Sequence, residues 1–210
     1  MSASGAGLLV TFEGGEGAGK TTQARRLVDA LATGGNEARL VREPGGTPTG
    51  EAVRRLLLDT EIGPRVDRAE LLLYLAARAE LCEAVIRPAL ARGETVVCDR
   101  FVDASVAYQG GGRGLGERRV AELNAFATHD VLPDLTFFLD LEPAEGLRRA
   151  AGRGRPDRIE REPLAFHERV RAAYRALARA ERVVTLDATL DADALHDRIL
   201  ALTVARLGRS

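Results

Sequence analysis

Apolar residues in this chain come in short blocks with two alternating periodicities. Leu8-Leu9-Val10-Thr11-Phe12 is a continuous apolar run of strand length, followed at once by a glycine loop. Within Lys20–Thr33, Ala24, Leu27, Val28 and Leu31 recur at helical spacing, and Gly34-Gly35 ends the pattern. Strand runs return at 38–41, 95–98, 135–139 and 183–186. Between them, helices are predicted at about 50–58, 67–91, 117–127, 143–151, 163–180 and 192–207. The 67–91 helix opens on Asp67 and Glu70 spaced like a capping box, and it is apolar over much of its circumference. That places it in the core or against a partner chain. After the third strand a short helix and a glycine-rich loop, 109–116, are expected. Five strands alternating with helices imply an α/β domain whose parallel sheet carries helices on both faces. Nothing divides the chain, so 1–210 reads as one domain.

Composition narrows the class. At 210 residues, 45% hydrophobic and 29% charged, the chain reads as an ordinary globular protein. A net charge of −1 supplies no basic field for a general nucleic-acid binder. No apolar run approaches membrane-spanning length, and the first seven residues do not resemble a signal peptide. Cys82 and Cys98 are too few for a disulfide framework, so reduced thiols and a cytoplasmic location are expected. His129, His167 and His196 show no metal-ligand spacing.

The chain has one lysine, and every other basic residue is arginine. Lys20 lies in Gly14-Gly15-Glu16-Gly17-Ala18-Gly19-Lys20-Thr21, which fits G-x-x-x-x-G-K-[ST]. In that pattern backbone N–H groups cradle phosphates, and a compact ammonium follows them where a planar guanidinium is too wide. The required strand, loop and helix surround it, and the helix N-terminus favours an anion. A single lysine also excludes switches that read guanine through Asn-Lys-x-Asp and partitioning ATPases with a second loop lysine.

In an open α/β sheet ligands bind beyond the carboxyl ends of the strands, and more candidates fall there. Thr21 and Asp99 suit the hydroxyl and acidic partners of a phosphate-bound Mg²⁺. Arg100 and Arg42 follow strands and suit phosphate. Gly152-Arg153-Gly154-Arg155-Pro156-Asp157-Arg158 reads as part of a mobile lid at about 150–161 that carries positive charge over a phosphate. Tyr74 and Arg78 share a helix face, as a base-stacking and base-edge pair would. Tyr108 with Gln109 is a second such pair.

Taken together, FEGGEGAGKTT, REPGGT, LLLYLAAR, DRF, AYQGGGRG and RGRPDRIE resemble, in order, the motifs of the thymidylate kinases. The resemblance implies a P-loop NTPase fold, the substrates ATP and dTMP, Mg²⁺ as cofactor and a homodimer. It implies that residues 14–21 bind the ATP phosphates, with Glu16 also reaching the sugar 3′-hydroxyl network of dTMP. Arg42, Pro44 and Arg100 would form the dTMP phosphate pocket. Tyr74, where the family usually has Phe, would stack on thymine, and Arg78 would bond the base edge. Ser105, with Ala104, would face the base, Gln109 would adjoin it, and Tyr108 would lie under the sugar. Lys20, Arg100, Asp99 and Arg153 would carry catalysis. Arg149 and Arg158 resemble further lid arginines of the bacterial subtype, which lacks an arginine in the glycine loop.

Overall fold

The structure, a computed structural model, describes residues 7–63, 66–152 and 154–208. Its elements in chain order are β1 (Leu9–Glu13), α1 (Lys20–Thr33), β2 (Ala38–Arg42), α2 (Pro48–Leu58), α3 (Asp67–Leu81), α4 (Arg87–Ala91), β3 (Thr95–Asp99), α5 (Val102–Ser105), α6 (Glu117–Thr128), β4 (Leu135–Asp140), α7 (Pro143–Ala151), α8 (Leu164–Leu177), β5 (Val183–Asp187) and α9 (Ala192–Leu207). The π-helical segment Cys82–Ile86 joins α3 to α4, so the predicted 67–91 helix is a continuous rod with one widened turn. A second π-helical segment, Val106–Gly112, extends α5.

All strand pairs are parallel, in the order β2-β3-β1-β4-β5. The central strands β1 and β3 are buried at every position, as expected of a sheet covered on both sides. One face packs Leu27 and Leu31 of α1 and Leu195 and Ile199 of α9 onto Val10, Phe12, Phe137 and Leu139. The other packs Leu81, Cys82, Ile86 and Ala89 onto Leu9, Val96 and Cys98. Each fully buried Leu, Ile or Phe contributes about 1.5–3 kcal/mol by leaving water. The 67–91 rod belongs to this core, although Leu72 on α3 is exposed.

Two expectations fail for physical reasons. No Asp67–Glu70 capping box forms: the residue before α3 is Val66, and no side chain caps the helix. Glu70 is buried and serves other donors instead. The glycines at 110–112 are helical, not loop. A Cβ at Gly111 would meet the Ala173 side chain at 2.7 Å, and one at Gly112 would meet Phe166 at 2.7 Å. These glycines let the π-helical segment lie against α8, so close approach rather than turning explains them.

Candidate active site

β1 runs out between its neighbours β3 and β4, and the chain turns there into the phosphate loop. Gly17 adopts φ 68°, and a Cβ on it would fall 2.2 Å from the Gly146 carbonyl oxygen of α7. Gly19 precedes α1 in the left-handed region at φ 87°, open to glycine at little cost. Lys20 begins α1 and donates from Nζ to the Gly15 carbonyl at 2.6 Å, so the ammonium curls back over the loop. Burial, then the nearby Arg100 guanidinium, lowers it to about 8, against the pull of Glu16 and Asp99. Thr21 donates its hydroxyl to the Asp99 carboxylate at the end of β3. That pair of oxygen donors fits a hard cation such as Mg²⁺, which takes few protein ligands and completes its shell with water and phosphate. Among the described residues no group of three or more His, Cys, Asp and Glu is placed to hold a metal.

Arg100 adopts a left-handed backbone, φ 69°, uncommon outside glycine. Its N–H bonds the Phe12 carbonyl, and the next N–H, of Phe101, bonds Glu13 Oε1 at 2.7 Å. Glu13 Oε2 accepts from the Tyr174 hydroxyl at 2.8 Å. Burial and the nearby Asp103 raise the Glu13 carboxyl to about 7, against Arg100 and these hydrogen bonds. The Arg100 guanidinium donates to the Gly14 carbonyl at 3.0 Å and to Glu16 Oε1 at 2.7 Å, and lies over the Tyr108 ring. Tyr108 donates to the same Glu16 oxygen at 2.7 Å. Burial alone would raise the Glu16 carboxyl, but Arg100, Lys20 and Tyr108 outweigh it and hold it at about 2.

These groups open onto one cavity of about 590 Å³ beyond the strand ends. Every predicted nucleotide residue lines it except Gly14 and Gly15, which lie behind the loop, and Arg153, which lies outside the described residues. Arg42 is half exposed on its wall and gives only Nη2 to Glu51. Arg54 of α2, not singled out from the sequence, also lines it and donates to the Pro44 carbonyl at 3.1 Å. Burial and the neighbouring Arg42 both lower the Arg54 guanidinium, a crowding of like charge that an anion would relieve. Tyr74 faces the cavity from α3, its hydroxyl pushed well up by burial.

The base end is built differently. Arg78 is 1% exposed and spends all five N–H groups inside the protein. Nε and Nη2 meet Glu43 Oε2, Nη2 also meets the Phe101 carbonyl, and Nη1 meets Ser105 Oγ at 2.9 Å and Asn124 Oδ1 at 2.6 Å. Burial pushes the Glu43 carboxyl up against the pull of Arg78. Gln109 donates from Nε2 to Glu70 Oε1 at 2.8 Å. Glu13, Glu43, Glu70, Asn124 and Tyr174 thus support the site without carrying a motif of their own. Two expected lid arginines are elsewhere: Arg149 bonds Glu145 and the Ala188 carbonyl, and Arg158 bonds the Leu57 carbonyl and Glu70. Neither lines the cavity.

A glycine loop with a lysine at a helix N-terminus, an acidic strand end beside it and convergent arginines define a P-loop phosphotransferase. Residues 12–199 match the thymidylate kinase family. The chain is 51% identical over 204 residues to the thymidylate kinase of Deinococcus radiodurans, covering 95% of this chain and 98% of that protein. It is 48% identical over 215 residues to that of Chlorobium chlorochromatii, covering 95% and 96%. The crystal structure of thymidylate kinase from Ehrlichia chaffeensis superposes with a TM-score of 0.76 at 32% identity, covering 95% of this chain and 99% of that one. The chain belongs to the thymidylate kinase family, and with it to the enzymes that phosphorylate dTMP.

Proposed function

We propose that the cavity holds ATP and dTMP with their phosphates facing, and that a dTMP phosphate oxygen attacks the γ-phosphorus of ATP. The bond to the β–γ bridging oxygen breaks, leaving ADP and dTDP. The acceptor is already an anion, so no general base is required. What remains is positioning and charge. The observation that carries this reading is the convergence of Lys20, Arg100, Arg42 and Arg54 on one cavity from four separate elements.

In this reading the 14–21 loop and Lys20 hold the ATP phosphates, and Arg100, Arg42 and Arg54 hold the acceptor phosphate beside Pro44. Thr21 and Asp99 would hold Mg²⁺; the chemistry it supplies when bound is charge neutralisation at the β- and γ-phosphate oxygens. Tyr74 stacks on thymine, Ser105 and Gln109 face its edge, Tyr108 supports the sugar, and Glu16 serves the 3′-hydroxyl. Arg78 is the brace of the base end, and any base contact it makes shares a donor already in use. The lid reading of 150–161 gives Arg153 the charge on the transferring phosphoryl group. Arg153→Ala is expected to lower kcat by about 100-fold or more with little change in the dTMP Kd. Equal losses in both would overturn the lid role.

A homodimer is part of the proposal. Leu72 of α3 and Phe126 of α6 are 61% and 84% exposed, on two helices that pack together. Light scattering tests it, and a monomer mass refutes it. So is a cytoplasmic location, supported by two free, buried cysteines. Among the described residues no helix is long and apolar enough to cross a membrane.

A further inference from the structure

Glu70 does not line the cavity, yet it is 1% exposed and is the meeting point of three donors. Its Oε1 accepts from Gln109 Nε2 at 2.8 Å and Arg113 Nε at 3.2 Å. Its Oε2 accepts from Arg113 Nη2 at 3.0 Å and Arg158 Nη2 at 2.5 Å. An ionised carboxylate only accepts hydrogen bonds. Two guanidiniums keep this one ionised: burial alone would raise it, and the bonds from Arg113 and Gln109 bring it below the usual range.

A side-chain amide has a donor end and an acceptor end. An acceptor-only partner admits just the donor end. Glu70 therefore fixes the Gln109 amide one way round. Its nitrogen is committed to α3, and the carbonyl oxygen is the polar atom Gln109 keeps for a ligand in the cavity it lines.

We propose that Glu70 is a positioning residue that fixes which end of the Gln109 amide a base meets, and so selects pyrimidines bearing an N–H at ring position 3. Thymine and uracil carry that N–H and donate to the carbonyl. Cytosine presents a lone pair at the same position, which sets two acceptors face to face and leaves a buried oxygen unpaired. Sites that demand a hydrogen bond reject analogues lacking it far more strongly than sites that only sense a methyl group. The inference rests on reading the cavity as the thymidylate site.

The test is kcat/KM for dTMP, dUMP and dCMP in the wild type, Glu70→Gln, and the double variant Glu70→Gln with Gln109→Glu. Glutamine at 70 offers either end, so Gln109 is free to turn. The dTMP-to-dCMP ratio is expected to fall about tenfold or more. The dTMP-to-dUMP ratio should hold, because the methyl contact is untouched. The double variant restores an acceptor-only group at 109 and should recover the first ratio. A general loss of turnover with the dTMP-to-dCMP ratio unchanged means Glu70 is merely structural and overturns the proposal. Should Glu70→Gln not fold, Gln109→Met leaves the arginine contacts of Glu70 in place and must lose the same ratio; retention overturns the proposal. A wild type indifferent to dTMP over dCMP instead refutes the thymidylate reading of the cavity.

Discussion

The two ends of the cavity are made of different materials. The phosphate end is backbone: a glycine loop, a helix N-terminus and strand ends, with Lys20 and Arg100 laid against main-chain carbonyls. The base end is side chain: Arg78 braced by Glu43, Ser105 and Asn124, and Gln109 braced by Glu70, drawn from separate elements. A backbone site depends on local geometry and tolerates changes at a distance. A side-chain site depends on buried charges that neutralise one another, and loses stability together with function when one partner goes.

The sharpest way to break this contrast is at the phosphate end. Lys20→Arg keeps the charge and loses the fit, and turnover should fall by about 100-fold or more while the folded protein keeps its melting temperature. Steady-state kinetics beside thermal unfolding checks this, and a variant that melts early would erase the distinction. At the base end the order reverses. Arg78→Ala leaves Glu43 buried without its counter-charge and should cost about 3–5 kcal/mol of stability in denaturant titration. A smaller effect belongs to Glu13, between the two ends. Its carboxyl sits at about 7 when folded against 4.5 as a free side chain. Its contribution to stability is therefore complete below pH 4.5 and lost as pH rises through 7. Glu13→Gln should flatten that part of the pH dependence of unfolding, and an unchanged profile would show the group is not titrating there.

The same contrast explains what could be read in advance. The phosphate loop, α1 and the sheet follow from contiguous residues, so the strands were misplaced by only a residue or so. The error falls mainly at polar carboxyl ends: Glu13, Arg42, Asp99 and Asp140 finish strands that hydrophobicity alone ends early. The supports of the base end were invisible because their partners are distant in sequence. Glu70 looked like a helix cap because its nearest local role is one, and only the fold brings Arg113 and Arg158 to it. Gly110, Gly111 and Gly112 looked like a loop because periodicity does not report the closeness of α8. Arg149 and Arg158 looked like lid cations because composition does not show that Ala188 and Leu57 already accept from them.

The contact between Gly17 and Gly146 reaches beyond the loop. A Cβ on Gly146 would in turn lie 2.3 Å from the Glu16 carbonyl oxygen, so neither position accepts even a methyl group. α7, which begins three residues before Gly146 and leads into the arginine-rich segment, is thereby bolted to the backbone that embraces the nucleotide. Any swing of that segment has its pivot referenced to the nucleotide's own cradle. A substitution there, 126 residues along the chain from Lys20, would therefore misalign the anion seat and the flap in a single stroke.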